Sequence, residues 1–195
     1  MKILSALLTI ALMMFLVAGQ ALAGDEVLVG GNIDSGGYGG PVIKISQING
    51  ETAVLMGGYG GWLINHTFLV GGGFFGLTNE IEAPITGEKY YFDLGYSGLV
   101  LEYINNSHKL VHYSVGTLIG AGEVEYDSKT SKEDYDSDTI FVVEPGINLE
   151  LNVTSSFRLG FGVSYRYVSG VRLEGINDED LSGATANLTL KFGSF

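Results

Sequence analysis

The sequence predicts an all-β fold, an eight-stranded antiparallel up-and-down transmembrane β-barrel. Three observations carry that prediction: a long stretch of strict two-residue alternation, an export leader with no apolar run afterwards long enough for a helical span, and connections that alternate between short and long.

The alternation is clearest from Thr139 to Ser169. Odd positions carry Phe141, Val143, Pro145, Ile147, Leu149 and Leu151, then Phe157, Leu159, Phe161, Val163, Tyr165 and Tyr167. Even positions carry Glu144, Gly146, Asn148 and Glu150, then Arg158, Gly160, Gly162, Ser164 and Arg166. A period of two places successive side chains on opposite faces of a strand. One face of this hairpin is therefore large and apolar, and the other is small, polar or charged.

The leader runs from Met1-Lys2 through the apolar stretch 3–18 to Ala21-Leu22-Ala23. A charged start, a short apolar core and an A-x-A site describe a secretory signal peptide cleaved after about Ala23. The expected organisation is a signal peptide over 1–23, a lead-in over 24–36 and a barrel over 37–195. Beyond the leader no stretch reaches the ~18 apolar residues of a transmembrane helix, yet 46% of the chain is apolar. An exported chain of this kind crosses a bilayer as a closed barrel, because lipid offers no partner for open backbone groups. There is no cysteine, which excludes disulfides and thiol chemistry. The net charge of −12 argues against nucleic acid as a partner.

In chain order, Pro41–Ile48 is the first clear strand, with glycine-rich sequence before it. Asn49-Gly50 is a two-residue hairpin signal, and Glu51–Ile64 follows. A tight turn at Asn65-His66 leads into Thr67–Leu77. Strand four covers Lys89–Ile104 and strand five Lys109–Tyr126. Strands six and seven are the alternating hairpin, turning at Val153–Ser155, and Ser182–Phe192 is strand eight. The connections after strands two, four and six are short. Those after three, five and seven (78–88, 127–137, 170–181) are long and charged. Outer-membrane barrels have short periplasmic turns and longer external loops. The short connection after strand one departs from that pattern.

An eight-stranded barrel has an interior just wide enough to be filled by side chains. The small face fits there, so the apolar face is expected to meet lipid. Tyr90, Phe92, Tyr165 and Tyr167 at one end, with Trp62, Phe68 and Phe157 at the other, would form aromatic girdles. Strand four shifts phase: Tyr90, Phe92 and Leu94 are even, whereas Leu99, Leu101 and Tyr103 are odd. A β-bulge near Ser97-Gly98 would account for it. Pro145 removes a ladder hydrogen bond mid-strand.

The candidate site residues form a lumen charge network of Glu144, Glu150, Arg158 and Arg166. A tight turn centred on Thr154 sets Glu150 opposite Arg158 and Glu144 diagonal to Arg166. Charges in a narrow lumen need partners, which reads either as a structural plug or as an ion pathway. A second candidate is the pair His112 and Ser114, on one face and in an H-x-S arrangement that a hydrolase could use. Asp134, Asp136 and Asp138, or Asp178, Glu179 and Asp180, offer oxygen ligands without the spacing of a calcium loop. No cofactor, metal or catalytic residue is assigned.

His112-Tyr113-Ser114 resembles the H-Y-S stretch of the outer-membrane lipid A deacylases. That likeness implies a nucleophilic Ser114 with His112 as its base. Val115-Gly116 stands where that family has Asn-Ala, and no acidic orienter aligns. The architecture resembles the small OmpA/OmpX-type barrels, and Gly36–Leu77 (GGYGGPVIKISQINGETAVLMGGYGGWLINHTFLVGGGFFGL) is similar to an uncharacterised family of exported bacterial barrels. The C-terminal Phe195 resembles an outer-membrane assembly signal, but lies out of phase with Leu188, Leu190 and Phe192. Together these imply a Gram-negative outer-membrane protein that meets outer-membrane lipid, lipopolysaccharide and the barrel assembly machinery as a monomer. The expected role is structural or surface-interacting through the acidic loops, with a narrow pore for small solutes or a lipid-modifying enzyme as alternatives.

Overall fold

The computed structural model describes residues 34–84, 90–127 and 137–195. The expected leader and most of the lead-in lie outside these, as do parts of two long loops. The strands are β1 (Ser35–Ile48), β2 (Glu51–Ile64), β3 (Phe68–Leu77), β4 (Tyr91–Asn105), β5 (Val111–Asp127), β6 (Ser137–Asn152), β7 (Phe157–Ser169) and β8 (Gly183–Ser194). One helical turn, α1 (Asp178–Leu181), precedes β8. Each strand pairs antiparallel with the next, and β8 closes on β1. Among the described residues no helix is long and apolar enough to cross a membrane.

Closure fixes the geometry. Starting at Ser35, the pairs lead through Ile64, Phe68, Tyr103, Val115, Ile147, Val163 and Ala186 back to Ile45, ten residues further along β1. A shear of that size over eight strands tilts them by about 41° at ordinary strand spacings. The outward apolar run Phe157–Tyr167 on β7 then spans about 25 Å along the barrel axis, the height of an outer-membrane apolar belt.

The turns follow their chemistry. Asn49 and Gly50 both have positive φ (49° and 78°), the pair of conformations that a two-residue hairpin needs. Strand β1 begins at Ser35, so it takes in the glycines ahead of Pro41. Glycine is required where β2 and β3 approach closely: a Cβ on Gly71 would lie 2.0 Å from the Gly60 carbonyl oxygen, inside van der Waals contact.

Two expectations are corrected. First, β4 has no bulge. Its register with β3 and with β5 is unbroken, and even positions point inward along its whole length. What changes is which face is apolar. Towards the short-turn end, Leu99, Leu101 and Tyr103 point outward. Towards the long-loop end, Phe92 and Leu94 point inward, and the outward positions become Asp93, Gly95 and Ser97. Strand β5 does the same, from outward Tyr113, Val115 and Ile119 to inward Val124 and Tyr126 with outward Glu123. The apolar face turns in at this level, as it would where water replaces lipid outside.

Second, the lumen is therefore not lined by small polar residues throughout. At the long-loop end Ile48, Leu55, Leu94, Ile140 and Val142 form a buried apolar core with Phe92, Val124 and Val168. Ile81, Leu173, Ile176 and Leu181 from the loops are buried with it. Phe92 belongs to this core, its ring 5.4 Å from that of Tyr126, and Tyr90 packs against it. Neither is in an outer girdle, whereas Tyr165, Tyr167 and Trp62 do face outward.

The β6–β7 register is offset from expectation by two residues. Asn152 lies opposite Arg158, and Leu151 opposite Leu159. The connection spans Val153 to Ser156, with the amides of Val153 and Thr154 both donating to the Phe157 carbonyl. Five residues, 153–157, separate the paired Asn152 and Arg158, where the expected turn leaves three between Asn152 and Ser156; two extra residues shift the pairing by two positions and leave every side chain on its face. Pro145 interrupts the ladder to β7 between the pairs Val143–Tyr167 and Gly146–Ser164, while it still lies opposite Thr117 of β5.

Candidate functional site

Below the apolar core the lumen holds two charge clusters. In the upper one, Lys44 of β1 lies 2.7 Å from Glu144 of β6. The Glu144 carboxylate also accepts hydrogen bonds from Tyr96 (2.8 Å) and Ser164 (2.7 Å). The ammonium sits 3.2 Å from the centroid of the Phe75 ring, a cation–π contact added to the ion pair. Five strands supply these groups, so the cluster fastens the sheet across its lumen.

The lower cluster centres on Lys191 of β8. Its Nζ lies 2.7 Å from Glu102 and 2.6 Å from Glu150. Glu102 accepts further hydrogen bonds from Tyr38, Tyr59 and Ser114. Arg158 is 4.0 Å from Glu150 and donates to the Ser107 carbonyl. Its guanidinium lies 3.9 Å from the Phe195 ring centroid, and that ring packs on Tyr38. Phe195 is thus in the inward phase, and this is why it falls out of step with the outward Phe192.

All four residues of the expected network point inward, but their partners differ. Glu150 pairs first with Lys191, and Arg158 is a diagonal neighbour instead of a directly opposite one. Glu144 takes Lys44. Arg166 reaches up to the loops: its Nε donates to the Leu181 carbonyl at 2.8 Å, and its Nη2 lies 3.4 Å from the Gln47 carbonyl oxygen. It fastens α1 to the barrel.

Lys44, Glu102 and Lys191 were not singled out from the sequence. The signal was available. Each is a lone charge between two outward apolar neighbours on a strand: Ile43 and Ile45, Leu101 and Tyr103, Leu190 and Phe192. Such a charge has only the lumen to point into.

His112 and Ser114 are both buried, and each has its own partners. Ser114 donates to Glu102 at 2.5 Å. The His112 Nδ1 donates to the Lys109 carbonyl at 3.1 Å, and its Nε2 faces Glu150 at 3.3 Å. The Ser114 hydroxyl is thus bonded to a buried carboxylate and not to the His112 ring.

A cavity of about 80 Å³ separates the clusters; Val42, Phe75, Val100 and Leu118 line it together with the polar Glu102, Glu144, Asn148, Asn187 and Thr189. Above the apolar core, the loops present acids. Asn177 caps α1 and Asp180 returns a bond to the Asn177 amide, a reciprocal cap. Asp178 accepts from the amides of Gly170 and Val171, and Asp138 from that of Arg172. These acids are engaged in shaping the loops. Among the described residues no three acidic, histidine or cysteine side chains are arranged to hold a metal ion; Asp134 and Asp136 lie outside them.

No family model and no curated protein matches the sequence. Solved structures do. Neisserial surface protein A, NspA, superposes with a TM-score of 0.59 at 13% identity, over 84% of this chain and 99% of that one. The N-terminal β-barrel domain of OprF from Pseudomonas aeruginosa superposes with a TM-score of 0.52 at 14% identity, over 82% of this chain and 96% of that domain. The closed sheet, its tilt and these likenesses agree: the chain has the fold of the small eight-stranded outer-membrane β-barrels.

Proposed function

We propose that this chain is a closed outer-membrane barrel of a Gram-negative bacterium, with a structural or surface-interaction role carried by its acidic outer loops. The observation that carries the reading is the filled lumen beneath an ordered cap. Two charge clusters and an apolar core occupy the interior in succession, and Arg166 fastens α1 over them. Among the described residues these side chains block a continuous route for a solute, which disfavours a pore. The engaged Ser114 hydroxyl disfavours a lipid-modifying enzyme. The short turns would face the periplasm and the long loops the exterior, in contact with lipopolysaccharide. The outward apolar belt suits insertion by the barrel assembly machinery, and the chain would act as a monomer without nucleic acid or cofactor.

The test is ion conductance of the full chain in planar bilayers. The proposal expects no discrete openings at moderate voltage. Steady single-channel steps would establish the pore instead.

A further inference from the structure

Three buried polar atoms without a protein partner converge at the short-turn end of the lumen: His112 Nε2, Glu150 Oε2 and Arg158 Nη1. Their residues come from β5, β6 and β7. His112 Nε2 lies 3.3 Å and Arg158 Nη1 4.0 Å from the Glu150 oxygen. The side chains of His112 and Glu150 are fully buried, and that of Arg158 is 5% exposed.

The chemistry of the three atoms is complementary to one ligand. The His112 Nδ1 faces the Lys109 carbonyl, an acceptor, so Nδ1 carries the hydrogen. In that tautomer Nε2 is a lone-pair acceptor facing a carboxylate oxygen, a second acceptor. Arg158 Nη1 is a donor only. The site therefore needs a group that donates twice and accepts once, with small enough size to enter a packed lumen. Water does this. A proton on Nε2 would join histidine to carboxylate but would leave Arg158 Nη1 unpartnered, so it answers two of the three atoms.

We propose that this triad is a binding site for a bridging water, and that it forms the lower end of a hydrated segment of the lumen. The cavity between the clusters continues that segment. Its volume of about 80 Å³ holds about two or three waters at the liquid share of ~30 Å³ each. Asn187 Oδ1, in its wall, is a further buried acceptor without a protein partner. Above Lys44 and Glu144 the interior turns apolar at Leu55, Leu94 and Val142, while Ser46, Thr185 and Arg166 carry buried polar groups up the opposite side to the Gln47 and Leu181 carbonyls. The barrier to permeation is then this apolar core, with the Arg166 side chain closing the polar side, and not the two charged clusters below.

This rests on the closed-lumen reading for its second half only. An atomic-resolution crystal structure of the full chain tests the site itself. The expected result is solvent density within hydrogen-bond distance of all three atoms. A direct bond between His112 Nε2 and Glu150, with no solvent at Arg158 Nη1, would overturn it. Proton flux into dye-loaded proteoliposomes tests the barrier. Wild type should be tight, and a Leu55→Ser/Leu94→Ser double variant should leak several-fold faster. A double variant that folds and is as tight as wild type would overturn the barrier assignment. Should the double variant not fold, Leu94→Ala gives the same comparison. A leak in the wild type would instead count against the closed lumen.

Discussion

Replacing Lys191 with methionine tests the lower cluster most sharply. The ammonium is 1% exposed and bridges two carboxylates, Glu102 at 2.7 Å and Glu150 at 2.6 Å. Methionine keeps most of the length and apolar volume of the side chain, so the change removes charge more than packing. Removing one member of a buried ion pair costs about 3–5 kcal/mol, because the remaining charge stays desolvated. Here two carboxylates lose their nearest cation. Glu102 retains the hydroxyls of Tyr38, Tyr59 and Ser114, and Glu150 retains Arg158 at 4.0 Å. Those donors hold the expected loss to the same range, about 3–5 kcal/mol, instead of twice it. The triple variant Lys191→Met, Glu102→Gln, Glu150→Gln removes the stranded charges and should recover at least about 2 kcal/mol of that loss. Reversible urea unfolding in lipid vesicles, followed by the fluorescence of Trp62, the only tryptophan, measures both. A single variant within about 1 kcal/mol of wild type, or a triple variant less stable than the single, would refute the cluster as an energetic unit.

Further predictions follow from the same geometry. Leu94→Ala, in the apolar core, should destabilise by about 2–5 kcal/mol, while Leu101→Arg, further down β4 and outward, should cost about 2–4 kcal/mol by placing charge in lipid; a cost below about 1 kcal/mol for either variant would show that the faces do not invert. Arg158→Ala and Glu150→Gln should couple by about 1 kcal/mol in a double-mutant cycle, given their 4.0 Å separation, and zero coupling would remove Arg158 from the cluster. Ser114→Ala should cost about 1–3 kcal/mol through the lost bond to Glu102 and should leave lipid A unchanged by mass spectrometry; loss of a deacylase activity present in the wild type would reinstate the catalytic pair. Arg166→Met should release the cap and make residues 170–182 cleavable by protease added to intact cells, and full resistance would show that α1 is held without it.

Much of this fold was legible because a closed, lipid-facing sheet writes a period of two into the sequence. Phe157 to Tyr167 could not be read otherwise, and Asn49-Gly50 named its turn. The misreadings have physical sources. Phe92 and Leu94 against Leu99 and Leu101 looked like a broken strand because one apolar face was assumed for the whole length. The apolar face changes side along β4. The register of β6 and β7 was set wrongly because Val153–Ser156 carries no residue that demands a particular turn. Glu150 and Arg158 stayed inward regardless, since a two-residue shift preserves faces. The inward phase of Lys44 and Lys191 was legible from their apolar neighbours, but their partners became visible only once barrel closure brought β1 and β8 across the lumen from β4 and β6, which are far away in sequence.

The central claim is that lipid surrounds the outward face up to a definite level and water lies above it. A spin-label depth profile along β5 tests this directly. The chain has no cysteine, so single replacements at Tyr113, Val115, Ile119, Ala121 and Glu123 can be labelled cleanly in liposomes. All five positions point outward. The account predicts relaxation by oxygen, and not by a water-soluble nickel chelate, at Tyr113, Val115 and Ile119, with the preference reversing between Ala121 and Glu123. Relaxation by the chelate at all five positions would mean that the barrel stands in water, and would contradict the account.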